Sequence, residues 1–499
     1  MAQPTPEPQP TPASQPTPGS VPAPQALKKS IGLWSAVSIV IGSVIGAGIF
    51  MRPASMAQRL GSPILLLLVW LVAGGASLLG AMIYAELGTM FPETGGPYIY
   101  LQKTYGNFVG FIYGWSTMAV INTAGIASIA FVSAQYLGFF IPLPHFSPAS
   151  IAAVKLHIPM VADIYPLQDF GVKAMAAAMI FALMILNYLS TRYGNIIQSL
   201  ATLMKTLALL LLVFGLFFSR HGDIANFITN SPGFHFNWLL VLTGFMAATS
   251  GAFSSYDGWQ NITLVAGELK DPRRNISRSL FIGLGACMAI YLITTLAYNY
   301  VLPIGQIAHS SLVAADAMQK VLGVAAAGLV SLLIVISAFG STQANVLTNA
   351  RVVFAMGEAG SMPGWAGKIH PRFGTPGNAV LIIGIWSIAF IFSGSFDFLA
   401  DMFVFMTWVF HVLVALGLII MRIRLPNAQR PYRVKAYPWL PLIFIAFTLF
   451  YLSTTVYTDI VAYRSGQAPI INSVFGLLLT ATGIPFYLYF QRKSRSNEK

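Results

Sequence analysis

Hydrophobic positions in this chain form long unbroken runs rather than the stripe of a surface helix or the alternation of a half-buried strand. Pro63 to Met82, Met175 to Tyr188 and Leu207 to Phe218 are examples. A helix of about 20 apolar residues crosses the hydrocarbon core of a bilayer. Helices satisfy their own backbone there, so the pattern predicts an all-α polytopic membrane protein. Twelve spans are expected, near 32–53, 63–90, 106–139, 171–189, 195–219, 238–266, 278–302, 322–357, 377–394, 397–421, 438–460 and 468–491. Between the seventh and eighth, 305–320 reads as a short amphipathic helix outside the membrane. The first 26 residues break the pattern, since Pro4 to Pro24 alternates Pro with Thr, Gln, Ser, Glu and Ala. Such a segment buries no core and is expected to be disordered or polyproline II. It lacks the charged and apolar regions of a cleavable leader. The organisation expected is a Pro-rich cytoplasmic tail over 1–26, a ten-helix core over 27–436, and two accessory helices with a basic cytoplasmic tail over 437–499.

Composition sharpens this reading. Hydrophobic residues make up 56% and charged residues only 9%, against about 25% charged in soluble domains. The net charge of +13 would suggest nucleic acid in a soluble chain. Here it sorts by side. With both termini cytoplasmic, 20 Lys and Arg residues fall on inner segments and 7 on outer ones, as the positive-inside rule requires. Orientation in a cell (inner) membrane therefore explains the charge, and no nucleic-acid partner is implied. The single cysteine, Cys287, lies in an apolar run. It excludes an internal disulfide and a multi-Cys metal site, and reads as buried packing.

Two spans carry interruptions. The first holds Gly42, Ser43, Gly46, Ala47 and Gly48, followed by Pro53, and each glycine weakens a helix by about 1 kcal/mol relative to Ala. The sixth runs Ser250-Gly251-Ala252-Phe253-Ser254-Ser255-Tyr256-Asp257-Gly258-Trp259. One Gly cluster alone reads equally well as close helix packing. Paired breaks at equivalent places in spans 1–5 and 6–10 point instead to a transporter's substrate site. Half-helix N-termini offer free N–H groups to a carboxylate, and half-helix C-termini offer carbonyls to an ammonium. An α-amino acid carries both groups, close together.

These residues resemble a known family. Gly42 to Phe50 is similar to the first-helix signature of the amino acid–polyamine–organocation (APC) superfamily, and Tyr84 to Tyr100 to its second-helix and inner-loop signature. Ser255 to Trp259 with Gly267 to Asn275 resembles its sixth helix and the loop after it. Phe339-Gly340-Ser341, Asn349-Ala350-Arg351 and Gly360 to Pro363 resemble its eighth helix. The match is closest to the L-type amino acid transporter (LAT) group and its bacterial relatives. The resemblance implies a LeuT-like 5+5 inverted repeat with helices 1 and 6 unwound, two further helices, alternating access and L-amino acid substrates. It implies no cofactor. Carried over by position, the substrate carboxylate meets N–H groups of Gly46, Ala47 and Gly48. The ammonium meets carbonyls near Ile41, Val44, Phe253, Ser254 and Ser255, and Tyr256 and Trp259 pack beside the site. Three departures stand out. Position 47 is Ala where many LAT members have Ser. Position 254 is Ser where an aromatic gate is common. No cysteine lies between spans three and four, where the eukaryotic group links a heavy chain, so a disulfide-linked heavy chain is excluded.

Lys205 is the one basic residue in mid-span, and an intramembrane ionisable group is a functional candidate by default, with snorkelling as the alternative. The matching lysine of LAT-like members implies an ammonium in the place of sodium, here on carbonyls around Gly42 and Ser43 and on Ser341. Sodium-independent exchange is expected on that ground, with proton symport as the alternative. Asp257 either contacts a substrate cation or caps the second half-helix. Glu86 is expected to pair with a base on the inner side or to cap backbone, and Asp397 and Asp401 to favour the N-terminal end of span ten. Glu268 and Asp271 read equally as inner gate or solvated cluster. Ser116, Asn122 and Thr123 are candidates to face the cavity from span three. A polytopic membrane enzyme needs convergent catalytic groups. Only His411 among the seven histidines lies inside a span, and no paired-carboxylate or phosphate-loop pattern occurs.

Overall fold

The computed structural model describes residues 29–497, apart from 30, 94, 160, 161, 190, 233 and 359; the Pro-rich segment expected over 1–26 lies outside the described residues. Helices dominate, in the order α1 (Leu33–Val44), α2 (Gly48–Leu60), α3 (Pro63–Met90), α4 (Pro97–Tyr105), α5 (Asn107–Ser116), α6 (Asn122–Leu137), α7 (Pro148–Ala153), α8 (Phe170–Leu189) and α9 (Thr191–Phe218). There follow α10 (Trp238–Tyr256), α11 (Pro272–Val301), α12 (Ile304–His309), α13 (Val313–Glu358), α14 (Gly377–Ser393), α15 (Phe396–Arg424), α16 (Trp439–Arg464), α17 (Asn472–Ala481) and α18 (Gly483–Asn497). Among the described residues, nine helices are long and apolar enough to cross a membrane, or ten when the bent pair α1 and α2 counts as one span. Two shorter apolar helices, Leu203–Phe218 and Gly377–Ser393, occupy the fifth and ninth expected places.

Large apolar side chains such as Leu71, Phe214, Phe218, Leu240, Ile385 and Tyr489 stand exposed around the bundle. A belt of that kind needs lipid, not water. Inside it, α13 packs along α9 and α6, α11 along α3 and α1, and α10 along α2 and α3. The amphipathic segment after α11 is two short pieces, α12 and the first turns of α13. Gly323 divides the latter from the long apolar helix at φ 81°, a conformation that only glycine takes at little cost.

Two local features have no counterpart in the sequence reading. A π-turn, Thr117–Ile121, separates α5 from α6, and the Trp386 indole N–H donates to the Ala119 carbonyl inside it, at 2.9 Å. A hairpin pairs β1 (Leu156–Ile158) with β2 (Ala162–Ile164). It bridges to Ile470 and marks one end of the bundle, called here the hairpin end. The opposite end carries Lys270, Arg273, Arg274, Arg422, Arg430 and Arg433 and is called the basic end. There the fully buried Glu86 of α3 accepts from Arg422 Nε at 2.8 Å and Nη2 at 2.5 Å, and from the Val434 N–H at 2.7 Å. Arg430 Nε lies 3.3 Å away. Glu86 thus ties α3 to α15 and the loop after it.

Candidate functional site

The first break follows from its sequence. α1 ends at Val44, Ile45 turns to an extended ψ of 94°, and α2 restarts at Gly48 on an axis bent by 45°. The N–H groups of Ala47 and Gly48 find no acceptor among the described residues. Pro53 cannot donate to Ile49, as a residue four places on would. The Tyr298 hydroxyl meets the freed Ile49 carbonyl at 3.5 Å, and the Tyr136 hydroxyl meets that of Phe50 at 3.1 Å.

The second break begins at Asp257, extended at ψ 154°, and continues through Gly258 at φ 102° into a 3-10 helix over Trp259–Glu268. The two breaks interlock through their glycines. A Cβ on Gly258 would lie 2.7 Å from the Ser43 carbonyl oxygen, and one on Gly48 would lie 2.4 Å from Ser255 Oγ. No side chain larger than hydrogen fits either crossing.

Two donors from neighbouring helices meet the carbonyls at this junction. Lys205 of α9 is buried, and its Nζ donates to the carbonyls of Gly42 at 3.1 Å and Ile45 at 2.6 Å. It makes no bond to Ser43 or Ser341 among the described residues; the Ser341 carbonyl accepts from Asn345 instead. Because α1 unwinds after Val44, the Ile45 carbonyl turns out of the helix and becomes available. From α11, the Tyr291 hydroxyl lies 2.8 Å from the carbonyls of both Val44 and Ser255. The Val44 and Ser255 carbonyls named for an ammonium thus have a hydroxyl on them in this structure. Tyr291 was not legible in the sequence, since an aromatic in an apolar helix reads as core.

The other predicted residues spread around the junction. Phe253 stacks on Trp408 of α15 with ring centroids 3.5 Å apart, beside Tyr451. Ser254 accepts from Arg52 Nε at 2.9 Å. Tyr256 turns away towards α3, donating to the Trp70 carbonyl at 3.1 Å and packing on Trp70 and Tyr291. Trp259 packs edge-on to Tyr84 and near His411, and the Tyr84 hydroxyl and His411 Nδ1 are 2.8 Å apart. The Asp257 carboxylate accepts from Gln260 Nε2 at 3.1 Å and has no ion-pair partner among the described residues. The second half-helix, the 3-10 helix over Trp259–Glu268, has Gly258 as its N-cap and no side-chain cap bond, so Asp257 does not cap it. Ser116 bonds Thr480 Oγ1 at 2.8 Å and so faces α17. Thr123 bonds back to Val120, and Asn122 is partly buried.

At the hairpin end, α2, α10 and α15 meet in a charged seam. Arg52, 1% exposed, reaches Asp397 at 2.6 Å and Asp401 at 3.1 Å. Arg59 reaches Asp401 at 3.3 Å and also donates to the Ala247 carbonyl. Ser250 donates to Asp401 at 2.9 Å, and the Arg52 guanidinium lies 4.9 Å from the Phe396 ring. Asp397 and Asp401 do lie in the first turns of α15, but they act as partners for these arginines. Spacing offered a hint: 52 and 59 are seven apart, 397 and 401 four apart, so each pair shares a helix face. Among the described residues no group of three His, Cys, Asp or Glu side chains is placed to hold a metal.

Residues 31–479 match the model of the amino acid permease family. The chain belongs to that family. Among curated relatives, the serine/threonine exchanger SteT of Bacillus subtilis (strain 168) is 29% identical over 481 residues, covering 94% of this chain and 98% of the relative. The b(0,+)-type amino acid transporter 1 of Homo sapiens is 27% identical over 466 residues, covering 93% and 88%. The large neutral amino acids transporter small subunit 2 of Homo sapiens is 28% identical over 485 residues, covering 94% and 82%. This permease is therefore a membrane transporter and not an enzyme, and amino acids are the cargo class its relatives support.

Proposed function

We propose that this permease moves L-amino acids by alternating access, as a sodium-independent exchanger. The observation that carries the reading is the ammonium of Lys205, bonded to the carbonyls of Gly42 and Ile45 where α1 unwinds. A tethered cation there leaves no vacancy for a soluble one, and it travels with the protein rather than with the substrate. The substrate carboxylate would meet the N–H groups of Gly46, Ala47 and Gly48. Its ammonium would meet carbonyls of Ile41, Val44, Phe253, Ser254 and Ser255, displacing the Tyr291 hydroxyl from Val44 and Ser255. Phe253 with Trp408 would close the site towards the hairpin end. Asp257, a carboxylate without a cation partner among the described residues, would favour substrates with a basic side chain.

The wider frame is part of the same proposal. Helices α1 to α15 would form two five-span repeats of opposite orientation, with α16 and the pair α17 and α18 completing twelve spans. The basic end would face the cytoplasm with both termini, in the cell membrane. The chain would work without a disulfide-linked heavy chain.

Counterflow of labelled amino acids into proteoliposomes tests this. Uptake should require internal amino acid and be the same with or without sodium. Lys205→Ala should remove most of it while the protein still folds. Uptake that needs sodium would overturn the tethered-cation reading. Uptake driven by a pH gradient with no internal amino acid would replace exchange with proton symport. Asp257→Asn should lower uptake of lysine or arginine more than that of alanine; equal loss for both would return Asp257 to a structural role.

A further inference from the structure

The chain turn after α15 borders an open cavity of about 250 Å³ at the basic end, lined by Arg422, Ile423, Pro426, Arg430, Arg433 and Tyr437. Three guanidinium groups share it. Arg422 commits Nε and Nη2 to Glu86 and stacks over the Tyr437 ring at 3.9 Å. Arg430 donates to the carbonyls of Met421, Leu425, Pro426 and Ala428. Those neutral acceptors fix Arg430 without cancelling its charge. Glu86 is the only carboxylate paired with any of the three among the described residues. Three guanidiniums against one carboxylate leave two positive charges around the cavity. One of them is on Arg433, which is exposed and has no bond or ion pair among the described residues.

The lining residue Ile423 is 72% exposed, and Trp439 and Ile443, in the first turns of α16 just after the lining residue Tyr437, are 69% and 54% exposed. An exposed Trp beside a helix end is typical of the headgroup level of a membrane. Guanidinium groups suit phosphate oxygens, which they bind through paired N–H donors, and basic pockets at this depth suit anionic lipid. We propose that this cavity holds the phosphate of an anionic phospholipid headgroup, with the acyl chains along Ile423, Trp439 and Ile443. A free phosphate shares the charge chemistry but gains nothing from the exposed apolar side chains of Ile423, Trp439 and Ile443. Because Arg422 and Arg430 also hold Glu86, the bound lipid would steady the contact between α3 and α15.

The full chain in detergent, probed by native mass spectrometry with phosphatidylglycerol and phosphatidylcholine, tests the assignment. The wild-type protein should retain phosphatidylglycerol in preference. Arg433→Gln should weaken that preference about fivefold, the weight of one basic side chain at a membrane surface, and Arg433→Lys should restore most of it. Arg464→Gln, at the hairpin end, should leave it unchanged. Equal retention by wild type and Arg433→Gln would overturn the site. Thermal protection by millimolar inorganic phosphate equal to that by phosphatidylglycerol would overturn the lipid as its occupant.

Discussion

The hairpin end and the basic end are each held by arginines and carboxylates, yet the two constructions differ. At the basic end one carboxylate, fully buried, accepts from Arg422 and a backbone N–H and ion-pairs with Arg430, all reaching a single helix, α3. At the hairpin end two aspartates and two arginines join three separate elements, with Arg59 also on the Ala247 carbonyl, and Asp397 is 46% exposed. Removing one partner of a buried, multiply bonded ion is strongly destabilising, whereas a pair with water at one side is worth little. The basic end is thus built as a fixed joint and the hairpin end as a seam that water can open. The seam also contains both elements that follow or precede the breaks, α2 and α10. In the proposed alternating-access cycle, motion of those half-helices would part it.

Substitutions can break this contrast. Glu86→Ala should have the largest effect, because it leaves Arg422 and the Val434 N–H without their acceptor and Arg430 without its counter-charge. A loss of about 3–5 kcal/mol should appear as a large drop in the unfolding temperature of the detergent-purified protein. Arg52→Gln comes next. It keeps the volume but strands Asp397 and leaves Asp401 to Arg59 and Ser250, and a cost of about 1–3 kcal/mol is expected. Asp397→Asn should cost under about 1 kcal/mol and yet raise the labelling rate of a cysteine placed at Ser254 by a water-soluble thiol reagent. If Asp397→Asn destabilised as much as Glu86→Ala, the two ends would be the same kind of joint.

The smallest effect belongs to the hairpin. His157 and Lys155 bond Asp163 and hold its carboxyl below the usual carboxylate range. The contribution is therefore present at neutral pH and fades as the pH falls through that lowered pKa. Asp163→Asn should speed amide exchange in β1 and β2 at neutral pH without shifting the unfolding temperature or transport. A change in either would extend the seam to the hairpin.

What the sequence made legible was local. The breaks were marked by residues whose conformational preferences act within a turn, Gly46 and Gly48 in one and Asp257 and Gly258 in the other. Lys205 stood out because one charge in an apolar run has few explanations. Its partners were harder to place: the Ile45 carbonyl is free only because α1 unwinds there, a consequence of the break rather than of residue type. The seam joins positions 345 residues apart, and no local pattern encodes such a meeting. Tyr291 and Trp408 depend on which helix lies beside which, whereas Glu86 pairs with a base and a backbone N–H, as a carboxylate near the inner end of an apolar span is expected to. The hairpin strands are three residues each, too short to show an alternation. The π-turn needs no distinctive residue at all.

Tyr291 has a consequence that follows from counting protons. Its hydroxyl lies 2.8 Å from two carbonyl oxygens, one at the end of α1 and one near the end of α10. A hydroxyl has a single proton to give, so it can satisfy only one of them at a time. The junction is therefore one donor short, and the deficit alternates between the two halves of the molecule. In the binding mode proposed above, a substrate ammonium would bring three donors, enough to serve both carbonyls at once and leave one over. Hydrogen-bond stoichiometry alone thus leaves Tyr291 able to match one half of the molecule at a time and never both.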